Sequence, residues 1–268
     1  MKISIVIPVY NDKHYLGACL EALENQTVKP FEVIVVDNNS PDGSIEIAKK
    51  YTFVTVIHEP RQGIVFARDA GFNEASGDIL ARIDSDSILP PDWVEKVGKA
   101  FSERTNMMAF TGAPDFYDAP MSGMLNICQV FIYQRLQRML TGTCMLWGAN
   151  MALRREAWVS AKEHVSSRTD LDEDIDLSLC MHDLGHEINF DSGLKVKASA
   201  MRGRYGLIKT ASYLSSWPKD YFHHKMYFRG LLVAILSAIF VVLTSPLLLI
   251  NDFINLKDHL ISSHRDQS

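Results

Sequence analysis

Ordered cysteine patterns are missing from this chain of 268 residues. Its four cysteines, Cys19, Cys128, Cys144 and Cys180, stand far apart, with no C-x-x-C pair among them. That spacing argues against a zinc ribbon and a disulfide-stapled secreted domain, and fits reduced thiols in a cytosolic protein. A basic excess is missing too. Lys and Arg number 27 against 32 Asp and Glu, a formal net charge of −5, so no nucleic-acid partner is expected. No secretory leader is expected either: the apolar run after Lys2 is only Ile3 to Val9, and no small-residue cleavage site follows it. No G-x-G-x-x-G follows that run and no G-x-x-x-x-G-K-[ST] occurs anywhere, which weakens dinucleotide-oxidoreductase and P-loop readings. Internal repeats and low-complexity linkers are absent.

What is present is globular: 47% of the residues are hydrophobic and 22% charged, which rules out wholesale disorder. The first half alternates short apolar runs with amphipathic ones. Strands are expected at Ile3–Val9, Phe31–Val36, Val54–His58 and Ile79–Ile83, with helices at about Tyr15–Asn25, Ser44–Tyr51 and Gly63–Ala75 between them. Phe31–Val36 is continuous in Val and Ile, as a parallel strand covered on both faces should be. This alternation predicts an α/β fold with a doubly wound, mainly parallel sheet, whose ligands lie beyond the carboxyl ends of the strands. The second half is less regular. Met108–Gly112 reads as a strand, Ser122–Leu140 as helical, Met145–Leu153 as short apolar runs and Asp172–Leu184 as an amphipathic helix.

Polar clusters fall at the strand ends. Asp84-Ser85-Asp86 follows an apolar strand, so its two carboxylates can face one cation, and hard oxygens suit magnesium or manganese. For a D-x-D alone a solvated turn is the better reading, but its place after a hydrophobic strand and before Pro90-Pro91-Asp92-Trp93 raises the functional odds. Asp37 closes the second strand, where a carboxylate can hold a base or ribose, or cap a helix. Arg68 lies on the helix before the acidic strand end, as a surface charge or a diphosphate partner. Asp172-Glu173-Asp174-Ile175-Asp176 packs four acids into five positions, where they either complement a helix dipole or supply a general base.

Together these pieces resemble the family 2 glycosyltransferases, inverting enzymes of the GT-A fold. The matching segments are Ser4 to Asn11, Val33 to Ser40, Gly63 to Gly71, Asp84-Ser85-Asp86 with Pro91-Asp92-Trp93, Gly148 to Arg155, and Glu173 to Leu177, in family order over about residues 3–190. The resemblance implies that Pro8, Val9, Tyr10 and Asn11 line the base pocket and that Asp37 holds the base. Asp84 would contact the ribose or the metal, Ser85 would stand among the donor-binding residues, and Asp86 would bind the metal bridging two phosphates. Arg68 would support that pocket, Asp174 would be the catalytic base, and Glu173 would orient it. A divalent metal, Mg or Mn, and a UDP-type nucleotide-diphosphate sugar are the implied cofactor and co-substrate. The implied reaction is a single displacement in which the base takes the acceptor hydroxyl's proton. Relatives often supply a His ligand after the Glu-Asp helix. Here Lys195 to Ala200 has none, which leaves His182, His186 or a later His as a substitute, and Cys180 stands where Arg is common. The absence of Q-x-x-R-W favours addition of one sugar. Phe116, Tyr117, Phe131 and Tyr133 are candidates to stack on an acceptor sugar or simply to pack. A nucleotidyltransferase, and a non-catalytic sugar-nucleotide-binding protein tethered to a membrane, are the competing classes.

The C-terminal part differs in character. Leu231 to Ile250 is a run of 20 residues without a charge, about what a helix needs to cross a bilayer core. Trp217, Lys219, Tyr221, Lys225, Tyr227, Phe228 and Arg229 precede it, an aromatic and basic flank typical of a membrane interface. Arg202 and Arg204 would meet an anionic acceptor or serve as surface charges. The expected organisation is therefore a catalytic domain over 1–205 and a membrane-associating segment over 206–268. The expected location is the cytoplasmic membrane face, with a glycan or lipid-linked acceptor.

Overall fold

The computed structural model describes residues 1–117, 123, 126–127, 130–199, 207–243 and 245. They fall into two compact units, one within Met1–Thr169 and Glu173–Ser199, the other within Asp170–Asp172 and Ala200–Ser268.

The first unit is built on a seven-stranded sheet. Its strands are β1 (Ile3–Val9), β2 (Glu32–Asp37), β3 (Val54–His58), β4 (Ile79–Arg82), β5 (Ala109–Phe116), β6 (Met151–Arg154) and β7 (Ile188–Ala198), in the order β3-β2-β1-β4-β6-β5-β7. The pairs β1–β2, β1–β4, β2–β3 and β5–β7 are parallel, while β6 runs antiparallel to both neighbours. Helices α1 (Leu16–Glu24), α2 (Ser44–Ala48), α3 (Ile64–Glu74) and α4 (Trp93–Glu103) supply the connections expected from the alternation.

Both faces of the sheet are covered, which is why β1 reads as an unbroken apolar run. Ile5, Ile7 and Val9 pack with Leu16, Leu20, Val97 and Phe101 on one face. Val6 points the other way, to Ile34, Val36, Phe72 and Leu80. Helix α3 lies so close to that second face that a Cβ on Gly71 would come within 2.2 Å of Val6 Cγ1.

The antiparallel strand β6 decides where the second half of the unit contributes. Arg82 at the end of β4 is opposite Met151 at the start of β6. The tight 3-10 turn Gly148–Asn150, which leads into β6, is therefore brought to the carboxyl end of β4. The apolar runs of Met145–Leu153 thus resolve into a turn and a strand.

The sequence patterns do not reveal β7. It parallels β5, and its register shifts between Gly112/Ala113, opposite Asp191 and Lys195, so that Ser192, Gly193 and Leu194 bulge out. Within the helical stretch expected over 122–140, Val130–Leu136 is a π-helical segment running into an α-helix at Gln137–Thr141. Cys128 lies outside the described residues.

In the second unit, Leu207–Leu214 and Trp217–His223 are helices, followed by a helix over 227–243. Asp220 accepts the main-chain N–H of Asp172 at 3.2 Å, and Lys219 pairs with Asp170 at 3.5 Å. No helix among the described residues is long and apolar enough to cross a membrane. Residues 244 and 246–250 of the uncharged run, with Arg202 and Arg204, lie outside the described residues.

Candidate active site

The carboxyl ends of β1, β2 and β4 meet along one edge of the sheet, as parallel pairing of adjacent strands requires. At the end of β1, Pro8 and Val9 are buried, whereas Tyr10 and Asn11 are exposed. Asn11 sits in the left-handed region at φ 57°, a conformation that Asn tolerates better than most residues. Its N–H donates to Ser40 Oγ at 3.2 Å. Asp37 ends β2; its Oδ1 accepts the Ser40 N–H at 2.9 Å and its Oδ2 lies 3.3 Å from His58 Nδ1. Asp37 thus shapes its own turn, and does not cap α2, which starts from Gly43. Pro8 to Asn11 and Asp37 flank one strand boundary, since the Asn38 N–H donates to the Val9 carbonyl at 2.9 Å.

Beyond β4, Asp84 is half-buried while Ser85 and Asp86 are buried. The Ser85 hydroxyl donates to Asp12 Oδ2, and the Asp12 N–H donates to Ser44 Oγ at 2.9 Å. Asp12 is a third acid of this edge, not foreseen from the sequence although it directly follows the β1 turn. The buried Cys19 thiol registers the cluster: burial pushes its pKa up, and the carboxylates of Asp86, Asp84 and Asp12 push it further.

The second group of acids starts the helix Glu173–Asp183, where the helix dipole favours negative charge. It reaches the first group through Arg82, which sequence reasoning passed over because an arginine inside an apolar strand looks like its polar position. Arg82 Nη1 donates to Asp174 Oδ1 at 2.8 Å and to Glu173 Oε1 at 3.0 Å, and Nη2 to Asp84 Oδ1 at 3.1 Å. Its side chain is 3% exposed. Burial works against that charge, but Asp174, Asp84 and Glu173 outweigh it and raise the pKa above the ordinary arginine value. Asp174 Oδ2 also accepts the Gly148 N–H at 2.6 Å.

Arg68 is fully buried. Its Nε donates to Asp69 Oδ1 at 2.9 Å and its Nη1 to the Glu173 carbonyl at 2.8 Å. Of the two roles open to it from the sequence, the surface charge is the one this burial corrects: the guanidinium is closed off from solvent and supports the acidic helix from behind. Asp176 accepts the Ser166 N–H at 2.7 Å from a buried position. His182 is near the far end of the same helix, about 13 Å from Glu173 by helical rise, and His186 lies beyond it, bonded to Ser160 Oγ at 2.6 Å. Neither is brought to Asp84 and Asp86. Of the acceptor candidates, Tyr133 packs inside and donates to the Leu146 carbonyl at 3.0 Å, and Phe116 stacks edge-on against Trp147; Tyr117 and Phe131 are exposed.

Carboxylate oxygens are the donors that Mg2+ and Mn2+ take, and Asp84 is the most open of the strand-end acids, its side chain 34% exposed. The acids at this edge therefore fit a hard divalent cation.

The family described as Glycosyl transferase family 2 matches residues 4–159. Glycosyltransferase AglE of Haloferax volcanii is 38% identical over 101 residues, 35% of this chain and 33% of AglE. The matched stretches cover between 15% and 39% of the length of three curated relatives. Among solved structures, the mannosyltransferase PcManGT of Pyrobaculum calidifontis, in complex with GDP-Man and Mn2+, superposes with a TM-score of 0.66 at 16% identity, over 97% of this chain and 75% of that one. Residues 1–349 of S. aureus TarS, in complex with UDP-GlcNAc, superpose with a TM-score of 0.59 at 17% identity, over 82% and 66%. At these identities the likeness is one of fold, and the fold is GT-A.

Proposed function

The chain belongs to glycosyl transferase family 2, and on that footing we propose that it transfers one sugar from a nucleoside-diphosphate donor to an acceptor hydroxyl, with inversion. The observation that carries this reading is Arg82, which ties Asp84 of the D-x-D turn to Glu173 and Asp174 of the acidic helix. Donor-side and acceptor-side acids thereby share one edge of the sheet. In the proposed step the acceptor oxygen bonds to the anomeric carbon and its proton passes to Asp174. The bond from that carbon to the diphosphate breaks, and the nucleoside diphosphate leaves with the electron pair. Glu173 orients the base. Asp84 and Asp86 would hold the divalent cation, which when bound stabilises the charge on the departing diphosphate. Pro8 to Asn11 and Asp37 would receive the base, with Ser85 keeping the turn in place through Asp12.

Two measurements test this. Calorimetry with UDP or GDP, each with Mn2+ or Mg2+, is expected to show metal-dependent binding, strongest for UDP and lost in Asp86→Ala. Asp174→Asn is expected to bind nucleotide normally and to turn over at least ~100-fold more slowly. Equal binding without metal, or wild-type turnover in Asp174→Asn, overturns the respective assignment.

The proposal extends to location: the C-terminal unit holds the chain at the cytoplasmic membrane face, where a lipid-linked or glycan acceptor would lie. Phe228, Leu231, Ile235, Ile239 and Val242 recur at helical spacing and are all exposed, a continuous apolar stripe following the basic Lys219, Lys225 and Arg229. Full-length chain should float with anionic phospholipid vesicles, and Ile235→Asp with Ile239→Asp should abolish flotation. A wild-type chain that stays in the soluble fraction with such vesicles refutes it.

A further inference from the structure

We propose that Arg82, seated on Gly148, is a positioning residue for sugar transfer, fixing the Asp174 carboxylate at a set distance from that of Asp84. The inference rests on the assignment of Asp174 as base and Asp84 as a donor-side acid. Arg82 ends a strand whose four residues are all buried, a place where a charge survives only if it is paired. Its Nε is buried without a hydrogen-bond partner, so all its bonding is concentrated in the terminal fork. That fork is spent on three carboxylates from two distant segments, at 2.8, 3.0 and 3.1 Å.

Gly148 makes room for the arrangement. A Cβ there would lie 2.5 Å from Arg82 Cζ and Nη1 and 2.6 Å from Nη2, so the guanidinium packs directly on the glycine. The same glycine's N–H bonds Asp174 Oδ2. Gly148 therefore acts twice on the base, once through its own N–H and once by seating the arginine that grips the other oxygen. A planar, rigid fork sets the separation of two carboxylates in a way that a flexible ammonium does not. Without it, clustered like charges would push Asp84 and Asp174 apart. In-line displacement tolerates little of this, since a misplacement of about 1 Å can lower the rate about 100-fold.

The test uses the full chain and four single variants, Gly148→Ala, Arg82→Met, Arg82→Lys and Asp174→Asn, with the doubles Gly148→Ala/Asp174→Asn and Arg82→Lys/Asp174→Asn. Binding of UDP with Mn2+ is read by calorimetry, turnover by Mn2+-dependent hydrolysis of UDP-hexoses with water as acceptor, and carboxylate separation by crystallography. Gly148→Ala should keep UDP affinity within about threefold, lower kcat about 100-fold with KM little changed, and widen the Asp84–Asp174 separation. Arg82→Lys should recover part of the turnover that Arg82→Met loses. In the Asp174→Asn background, neither Gly148→Ala nor Arg82→Lys should lower turnover further, because each acts through the base. Full turnover in Asp174→Asn defeats the base assignment itself. A slow Asp174→Asn whose losses multiply with those of Gly148→Ala defeats the positioning role alone. An unchanged carboxylate separation in Gly148→Ala also overturns it, whether or not any UDP-hexose is hydrolysed.

Discussion

Replacing Asn150 by alanine should destabilise the first unit far more than an average substitution. Asn150 is fully buried and its amide serves three partners: Oδ1 accepts the Trp93 Nε1–H at 2.9 Å, and Nδ2 donates to the Leu194 carbonyl at 2.7 Å and, at the longer 3.5 Å, to the Ala113 carbonyl. These bonds join α4, the bulge of β7 and the turn that presents Gly148. Alanine leaves an indole N–H and a carbonyl buried without partners, each costing about 1–3 kcal/mol. The vacated amide volume adds roughly 1 kcal/mol. The expected loss is about 4 kcal/mol, a large fraction of the ~5–15 kcal/mol by which domains are stable. Urea unfolding followed by tryptophan fluorescence measures it. With a slope of about 2–3 kcal/mol/M, the midpoint should fall by roughly 1.3–2 M. Trp93→Phe, which orphans only the Asn150 oxygen, should cost less, and the double variant less than the sum of the two. A loss below about 1 kcal/mol for Asn150→Ala, or strictly additive losses, refutes the assignment of this amide as the joint.

Three further outcomes follow from the geometry. Gly71→Ala should destabilise by about 1–3 kcal/mol in the same urea assay, because its Cβ would meet Val6 at 2.2 Å across a packed helix–sheet contact. Burial raises the Glu32 carboxyl, but hydrogen bonds from Ser4 and Ser76 prevail and hold it below the ordinary carboxylate value. Its contribution to stability is therefore full above the ordinary carboxylate range and lost as the pH falls through the lowered folded value, so Glu32→Gln should flatten the fall of Tm in acid. Cys180, pushed up to about 12 by burial and then by Asp176 and Asp183, should react with a disulfide reagent at pH 8 only as the protein unfolds, as should Cys19.

The first four strands are legible because covered parallel strands are short, apolar and punctuated by turn formers, as at Asp37 to Gly43 after β2. The D-x-D stands out because it interrupts apolar patterning at a strand end. Arg82 does not stand out, since its meaning comes from Glu173 and Asp174, far along the chain. Gly148 is visible as a glycine but not as the seat of a guanidinium. Strand β7 escapes because Asp191-Ser192-Gly193 looks like a turn between elements; its pairing with β5 absorbs those residues as a bulge. Gly112 explains how they fit: a Cβ there would sit 1.9 Å from the Leu194 carbonyl oxygen.

Strand β7 also bears on edge-to-edge pairing between sheets. It forms one flank of the sheet, a row of backbone groups of the kind that recruits a further strand from another chain. Lys195 and Lys197 point outward from it, alternating with the buried Leu194, Val196 and Ala198, and an exposed Asp191-Ser192-Gly193 kink breaks its line. Ile88 bridges to Lys197 and closes off one stretch of the flank. Two like charges and an irregular contour make edge-to-edge stacking of identical sheets unfavourable. The Asp191-Ser192-Gly193 kink that hid this strand from the sequence pattern is also what makes its outer edge irregular.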